Sequence, residues 1–302
     1  MIFAYNRPTH LKNLFESIQS SQPPNQLPIL IFIDGPKSPS IARDVQSVIS
    51  CVNDYKSDLG INKITIRKTN LGLAKSVITG VSETLLSYDQ VIVLEDDIEI
   101  SPFFLKYMDK SLDVFRNDRK IGSITGYKFA NTPFRTSRKM LMTSRHSSWA
   151  WGTWSNRWAE IDWDILSHGN SSLKILKSKI SGAGEDLPRM IDLQIQGKID
   201  SWSIIFDSNA AMLGWKCIHP YISLARNCGM DGSGTHYISQ KTERRVDSKW
   251  HSIKLYDPLR FRVSRIYDIK VWWNNSRYYQ FYIKPFLFIR SNYKKLTKNS
   301  TG

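Results

Sequence analysis

Apolar residues along the first hundred positions form two alternating patterns, which are short continuous runs and longer stretches where they recur every three or four residues. Continuous runs of this length predict buried β-strands, which we expect at Met1–Tyr5, Ile29–Ile33, Ile64–Ile66 and Val91–Leu94. The recurring spacing predicts helices after Pro8, over 41–52 and after Asn70. Strands without polar alternation, linked by helices, indicate a mostly parallel, Rossmann-like α/β sheet with helices on both faces.

Beyond residue 120 the pattern is mixed, with strands expected at 121–125 and 140–143. A tryptophan-rich stretch follows, with five tryptophans between Trp149 and Trp163. A protein in water cannot expose them all, so several are expected in the core. One or two are expected to line a pocket, because flat aromatic faces are suited to packing on sugar rings.

Polar residues follow all four predicted strands of the first hundred residues. They are Asn6-Arg7, Asp34, the region of Asn70, and Glu95-Asp96-Asp97. Ligands of parallel sheets bind beyond the carboxyl ends of the strands. The four polar ends are therefore predicted to converge on one crevice.

Three neighbouring carboxylates end the fourth predicted strand, although such groups repel one another and are costly to bury unpaired. In an extended segment Glu95 and Asp97 point one way and Asp96 the other, so the cluster can serve two ligands. Mg²⁺ and Mn²⁺ take oxygen ligands from one or two carboxylates and leave other positions for substrate phosphates. Taken alone the segment also fits a solvated acidic turn, but its place in the crevice predicts a metal site.

Composition narrows the class of protein. The chain of 302 residues is 41% hydrophobic and 23% charged, which is typical of a globular protein. It has no continuous apolar stretch of membrane-spanning length. Its three cysteines lack the spacing of a zinc site, which favours a reducing compartment. A cytoplasmic location is expected.

Basic charge is concentrated at the end of the chain. Residues 237–302 carry a net charge of +11 out of +15 and are rich in tyrosine, phenylalanine and tryptophan. We therefore predict an α/β domain over 1–236 and a basic extension of helical or irregular structure over 237–302. An anionic membrane surface or a nucleic acid fits such a segment; a soluble basic subdomain with an aromatic core is the alternative.

Four stretches carry a resemblance to a known family, namely "FAYNRPTHLKNLFESI", "IFIDGP", "NLGLAKSVITGVSE" and "VIVLEDDIEISPFFLKYM". In this order they resemble nucleotide-sugar glycosyltransferases of the GT-A fold. The resemblance is to bacterial surface-polysaccharide transferases and, more distantly, to the N-acetylglucosaminyltransferase I family. It covers roughly residues 1–240.

The resemblance implies an inverting transferase that uses Mn²⁺ or Mg²⁺. The donor is expected to be a UDP-hexose or UDP-N-acetylhexosamine, with guanosine and thymidine donors left open. The acceptor is expected to be a glycan or a lipid-linked saccharide in surface-polysaccharide synthesis. Attachment of the basic extension to the inner face of the cytoplasmic membrane would suit a lipid-linked acceptor, and no nucleic-acid partner is expected.

The family's metal-binding segment matches Glu95-Asp96-Asp97. This match implies Asp97 as the metal ligand and Asp96 as a contact to the ribose, with Glu95 also on the donor side. By the same resemblance, Arg7 contacts the donor phosphates or uridine. Asp34 matches the residue that reads the uracil ring.

Two further segments resemble parts of the family's active site. "WAWGTW" resembles the segment beside the donor sugar and implicates Trp151 and Gly152. "GKIDSWSIIF" resembles the segment that carries the catalytic base, which makes Asp200 the first candidate, although Ser201 stands where the family has a second acid. The rival candidates for this role are Glu185, Asp186 and Asp207.

The loop "RNCGMDGSGTHY" has three glycines in six residues and can approach a phosphate closely. It resembles the family loop that orders over the donor, and His236 is a candidate ligand of the metal or the diphosphate.

Two other classes of function remain as alternatives to a glycosyltransferase. A nucleotidyltransferase usually carries a glycine-rich loop after its first strand, which "YNRPTHL" lacks. A nucleic-acid-binding protein would use the basic extension but would leave the clustered acids unexplained.

Overall fold

The computed structural model of the chain describes residues 1–21, 27–129 and 140–229. Its strands are β1 (Ile2–Ala4), β2 (Ile29–Ile33), β3 (Ile61–Ile66), β4 (Gln90–Glu95), β5 (Ile98–Ile100), β6 (Ile121–Thr125), β7 (Leu141–Thr143), β8 (Trp151–Trp154), β9 (Lys216–His219) and β10 (Ala225–Asn227). Its helices are α1 (Pro8–Gln19), α2 (Pro39–Tyr55), α3 (Leu73–Leu85), α4 (Phe104–Phe115), α5 (Ser155–Trp158), α6 (Asn170–Ile180), α7 (Leu187–Ile195) and α8 (Trp202–Leu213).

Eight strands form one sheet in the order β3-β2-β1-β4-β8-β6-β9-β7. Strands β3, β2, β1 and β4 are parallel neighbours, and β6 is parallel to β9. Strand β8 runs antiparallel to both β4 and β6, and β7 runs antiparallel to β9. The predicted α/β class with a mostly parallel sheet is confirmed.

Side chains alternate between the two faces of the sheet, as the period of a strand requires. In β1, Ile2 and Ala4 join the core under α1, α2 and α4, whereas Phe3 joins the core under α3 and α8. In helix α1 the apolar residues that recur every three or four positions in the sequence are the ones that the structure buries. Proline stands at its first turn, and its buried residues are Leu11, Leu14, Phe15 and Ile18.

A small antiparallel sheet of β5 and β10 stands beside the main one and holds the turn that contains the acids. Strand β4 ends at Glu95 and β5 begins at Ile98, so Asp96 and Asp97 form the connection between the two sheets. Sequence patterns do not predict β5, β8, β9 or β10, because three or four residues are too few to establish a period.

Among residues 1–21, 27–129 and 140–229, no helix combines the length and apolarity needed to cross a bilayer. The predicted boundary between residues 236 and 237, and the whole basic extension, lie outside the described residues.

Candidate functional site

The carboxyl edge of the sheet brings Arg7 to the acid cluster. Arg7 follows β1, which lies directly beside β4 in the sheet. One guanidinium nitrogen donates to Asp96 Oδ1, and Nη1 donates to Asp97 Oδ2 over 3.0 Å. The second oxygen of Asp96 accepts a hydrogen bond from the backbone N–H of Tyr5 over 3.2 Å. A single cation thus bridges two adjacent carboxylates, and it is the compensating charge that the sequence requires.

One oxygen of Asp97 has no partner. Asp97 is 9% exposed, and within the described residues its Oδ1 is buried and accepts no hydrogen bond. Its other oxygen lies so close to Gly229 that a Cβ on that glycine would stand 2.4 Å from it. The backbone N–H of Cys228 donates to the carbonyl of Asp97 over 2.7 Å. The backbone at Cys228 and Gly229 therefore lies directly against Asp97, and within the described residues Oδ1 of this carboxylate is left buried without a hydrogen-bond partner.

Burial and mutual repulsion change the protonation of the other two acids. Glu95 keeps some accessible surface, but desolvation of its carboxyl group, followed by the charges of Asp97 and Asp96, raises its pKa to about 8. Burial raises the pKa of Asp96 to about 6, and the neighbouring Arg7 limits the rise. The raised pKa values of both groups show that the single guanidinium of Arg7 does not offset the burial and mutual repulsion of the three carboxyl groups, an environment that a divalent cation would relieve.

The residues of the site fit a metal ion that takes part of its coordination shell from the substrate. No group of three or more His, Cys, Asp and Glu side chains suited to a metal occurs in the described part of the chain. Mg²⁺ and Mn²⁺ do not need such a set, because they accept one or two carboxylates and complete their shells with water and phosphate oxygens. Asp97 Oδ1 is a hard oxygen ligand of this kind. His236, the second predicted ligand, lies outside the described residues.

Asp34 lies on the same edge, where its backbone N–H donates to the carbonyl of Ala4 over 3.1 Å. Its carboxylate accepts four hydrogen bonds, from the backbone of Gly35, Leu71 and Gly72 and from the Asn70 amide, over 2.8 to 3.1 Å. A carboxylate has about four acceptor positions. All four are used here, so Asp34 joins the turn before α3 to the end of β2 and has no acceptor position left for a uracil N–H, contrary to our prediction.

Asp200 lies beside that same turn. It is exposed, and its Oδ2 would stand 3.2 Å from a Cβ on Gly72. Gly72 has a positive φ of 79° and precedes α3, while Asp200 lies two residues before α8. Asp200 is thus on the β2–β3 side of the acids, at the same edge of the sheet.

Asp186 lies on the other side of the acids. It forms a bidentate ion pair with Arg145, with nitrogen–oxygen distances of 2.7 and 2.9 Å. The guanidinium of Arg145 stands 5.5 Å from the ring of Phe129, which follows β6. Gly184 has no room for a side chain, because its Cβ would stand 2.3 Å from Arg145 and 2.6 Å from Asp186. Glu185, its neighbour and the other rival in this segment, is half-buried.

Asp207 lies within the core rather than in the crevice. It is 6% exposed and accepts a hydrogen bond from the backbone N–H of His146 over 2.9 Å. Burial raises the pKa of Asp207 to about 7, and the charge of Arg145 opposes the rise. Because its carboxyl group faces the backbone of His146 inside the core and not the acid cluster, Asp207 is not a candidate base in this structure.

We expect Asp207→Asn to stabilise the protein above neutral pH. A raised pKa in the folded state means that the contribution of Asp207 to stability is present below its ordinary pKa of 3.8 and is lost as the pH rises to about 7. Asparagine keeps an oxygen for the N–H of His146 and carries no charge. The melting temperature should therefore rise more at pH 8 than at pH 5, with the exposed Asp164→Asn as control. An equal change at both pH values would contradict this account.

Trp151 and Gly152, predicted to border the donor sugar, are core residues. Trp151 is 0% exposed and stacks on Trp202 with ring centroids 4.6 Å apart. A Cβ on Gly152 would stand 2.7 Å from the carbonyl oxygen of Val91 in the neighbouring strand. Trp151 packs against α5 and α8, whereas Gly152 lies tightly between β4 and α4, and neither residue reaches the crevice.

Sequence patterns do not point to Arg145 as a residue of the site, and they mark Gly229 only as one of several glycines in its loop. Arg145 gave no signal, because it is one of many basic residues and its partner Asp186 is 41 positions away. Gly229 was noticed as one of three glycines in its loop, and its contact with Asp97 identifies the position that cannot carry a side chain. A cavity of about 410 Å³ lies elsewhere, at the opposite, amino edge of the sheet, lined mainly by apolar residues such as Met1 and Leu112.

No protein-family model matches the chain, and no curated protein matches it. Solved structures resemble it in part. S. aureus TarS has 15% identity and a TM-score of 0.39 over 59% of this chain and 33% of that chain. S. aureus TarS 1-349 in complex with UDP has 14% identity and a TM-score of 0.40 over 60% of this chain and 54% of that chain.

The mannosyltransferase PcManGT from Pyrobaculum calidifontis, in complex with GDP-Man and Mn²⁺, has 13% identity and a TM-score of 0.39 over 59% of this chain and 51% of that chain. The chain thus spans between a third and about half of the length of these proteins. These partial similarities concern the fold alone.

Proposed function

We propose that the protein is a metal-dependent, inverting glycosyltransferase that moves a sugar from a nucleotide-diphosphate donor to a saccharide acceptor. The observation that carries the proposal is the unpaired, buried Oδ1 of Asp97 at the carboxyl edge of a parallel sheet. An unpartnered carboxylate oxygen beside a guanidinium suits a cation together with a phosphate. The partly similar solved structures that hold UDP, or GDP-Man with Mn²⁺, belong to the class that we propose.

Asp97 would hold the cation, Mn²⁺ or Mg²⁺, through Oδ1. When bound there, the cation would neutralise the charge that develops on the departing diphosphate. Arg7 keeps Asp97 Oδ2 engaged and so presents a single oxygen to the site. Asp96, fixed by Arg7 and by the N–H of Tyr5, is proposed as the contact to the ribose. Asp34 is proposed to shape the wall of the nucleotide site by holding the turn at Asn70.

Two carboxylates compete for the role of base, which takes the proton from the attacking hydroxyl. An inverting displacement requires the hydroxyl to approach from the side opposite the leaving diphosphate. Asp200 lies near Gly72, on the β2–β3 side proposed for the nucleotide. Asp186 lies near Phe129, beyond β4 and β6. Asp186 lies on the side opposite the proposed nucleotide site, so we favour it as the base and keep Asp200 as the second candidate.

A screen of nucleotide sugars tests the proposed activity. The protein is incubated with UDP-, GDP- and dTDP-sugars, with Mn²⁺ and with EDTA, and release of the nucleotide diphosphate is measured. We expect release from one class of donor only, and only with metal. Equal release in EDTA would contradict the role of the metal. Formation of a sugar nucleotide from a sugar phosphate and a nucleoside triphosphate would instead identify a nucleotidyltransferase.

We also propose that residues 237–302 attach the protein to an anionic membrane surface. The segment carries a net charge of +11, and each Lys or Arg near such a surface contributes roughly 1 kcal/mol. We expect the full chain to sediment with vesicles that contain phosphatidylglycerol, and not with neutral vesicles, in a manner reversed by high salt. Binding that is indifferent to lipid charge would contradict this proposal, and preferential binding of RNA or DNA would favour a nucleic-acid partner.

A further inference from the structure

The backbone is strained at Ala150, between two tryptophans with different surroundings. Ala150 is fully buried and has a φ of 50°, and it is the one non-glycine residue with positive φ in the described part of the chain. The left-handed conformation costs an L-residue roughly 1–2 kcal/mol, so it persists only where other contacts impose it. The Ala150 carbonyl accepts the N–H of Gly126 over 2.7 Å, and the Trp149 carbonyl accepts the hydroxyl of Thr125 over 2.9 Å.

This kink decides where Trp149 lies. In a regular strand Trp149 and Trp151 would share one face, and Trp151 is fully buried in the core. The kink breaks this alternation and leaves Trp149 only half-buried, with its ring at 4.5 Å and edge-on to that of Tyr127. The described residues supply no hydrogen-bond acceptor for its indole N–H.

Trp149 lies at the edge of the sheet that holds the acids. Strands β4 and β6 both run antiparallel to β8, so the end of β6 lies at the same edge of the sheet as the end of β4. Trp149 lies at that edge because it contacts Thr125 and Tyr127 at the end of β6. From Trp149 a row of aromatic rings extends away from the β2–β3 side, which is the side proposed for the nucleotide. Tyr127 contacts Phe129 at 5.5 Å, and Phe129 lies under Arg145, the partner of Asp186.

We propose that Trp149 is the platform on which a pyranose ring of the acceptor saccharide stacks, and this inference rests on the proposed transferase function. A half-buried indole offers a flat apolar face for the C–H groups of a sugar and an N–H for one of its hydroxyls. Its place between the acids and Asp186 is where an acceptor must lie if its hydroxyl is to reach both the donor and the base. The substrate class is therefore a pyranoside.

Fluorine NMR of the full chain labelled with 5-fluorotryptophan tests the platform without any turnover. Trp149→Phe assigns the Trp149 resonance, and Trp163→Phe assigns that of a half-buried control tryptophan. The probes are UDP with Mn²⁺, then methyl hexopyranosides and lactose added to the UDP-bound protein. We expect the Trp149 resonance to shift saturably with at least one of these saccharides while the Trp163 resonance stays in place.

Two results would overturn the proposal. No shift of Trp149 with any of the saccharides would exclude the platform. A shift when a UDP-sugar is added in place of UDP, but not with free saccharides, would assign Trp149 to the donor instead. If the transferase is active, Trp149→Ala should raise the acceptor KM by roughly tenfold or more and leave the donor KM unchanged. Failure of the donor screen, by contrast, would reject the transferase and leave the NMR result as evidence about saccharide binding alone.

Discussion

Replacing Asp97 by asparagine is expected to lower the rate of sugar transfer by roughly a thousandfold or more, because a bound cation stabilises developing charge by several kcal/mol. The amide has almost the same shape as the carboxylate. Arg7 would take its oxygen, as it now takes Oδ2 over 3.0 Å. The amide NH₂ would then occupy the position of Oδ1, where it cannot bind a metal. Initial rates at saturating Mn²⁺ measure the effect.

Stability separates this effect from misfolding. Removing one of three neighbouring carboxylates relieves repulsion, so the melting temperature of Asp97→Asn should equal or exceed that of the wild type. Asp89→Asn, whose side chain is 84% exposed and pairs with Arg116, is the matched control and should keep full activity. An Asp97→Asn variant that transfers sugar at the normal rate would show that this residue holds no essential metal.

Asparagine at position 186 is expected to lower turnover by a factor on the order of 10² to 10⁴, the usual range for loss of a positioned base. The same change at Asp200 is the matched comparison, because Asp200 lies at the same edge of the sheet but beside Gly72. It should leave turnover within a few-fold of the wild type. Donor affinity should change little in the Asp186 variant, since the base faces the acceptor.

The reverse pattern, with activity lost only in Asp200→Asn, would contradict our assignment and restore Asp200 as the base. A folding defect is a concern for Asp186, because the change leaves Arg145, whose side chain is 11% exposed, with a weaker partner. Thermal unfolding of the variant controls for this. The configuration of the product, determined by NMR of the glycoside, tests inversion separately.

Elements with a clear hydrophobic periodicity, and polar residues that follow directly after strands, could be predicted from the sequence. Long helices such as α1 and α3 repeat their apolar residues often enough to be recognised, and β4 is an apolar run that stops at Glu95. Because carboxyl ends of parallel strands lie together, the approach of Arg7 to Asp96 and Asp97 could be anticipated across about 90 positions.

The contacts of individual side chains could not be predicted from the sequence, even where the region that contains them was predicted correctly. Asp34 was expected to read the base, but the Asn70–Gly72 turn saturates its oxygens. Trp151 was expected beside the donor sugar, and the kink at Ala150 buries it and leaves Trp149 at the edge instead. Such outcomes depend on a single dihedral angle or on contacts between distant segments, and neither leaves a periodic trace in the sequence.

Binding of Mn²⁺ in the presence and absence of UDP tests the central claim most directly. Asp97 is one carboxylate ligand and the nucleotide diphosphate is proposed to supply others, so each should strengthen binding of the other. Isothermal titration of the wild-type protein should show Mn²⁺ binding at least about tenfold tighter with UDP than without it, and Asp97→Asn should lose this coupling. Equal Mn²⁺ affinity with and without UDP in the wild type, or unchanged coupling in Asp97→Asn, would contradict the proposal that Asp97 holds a metal shared with the donor.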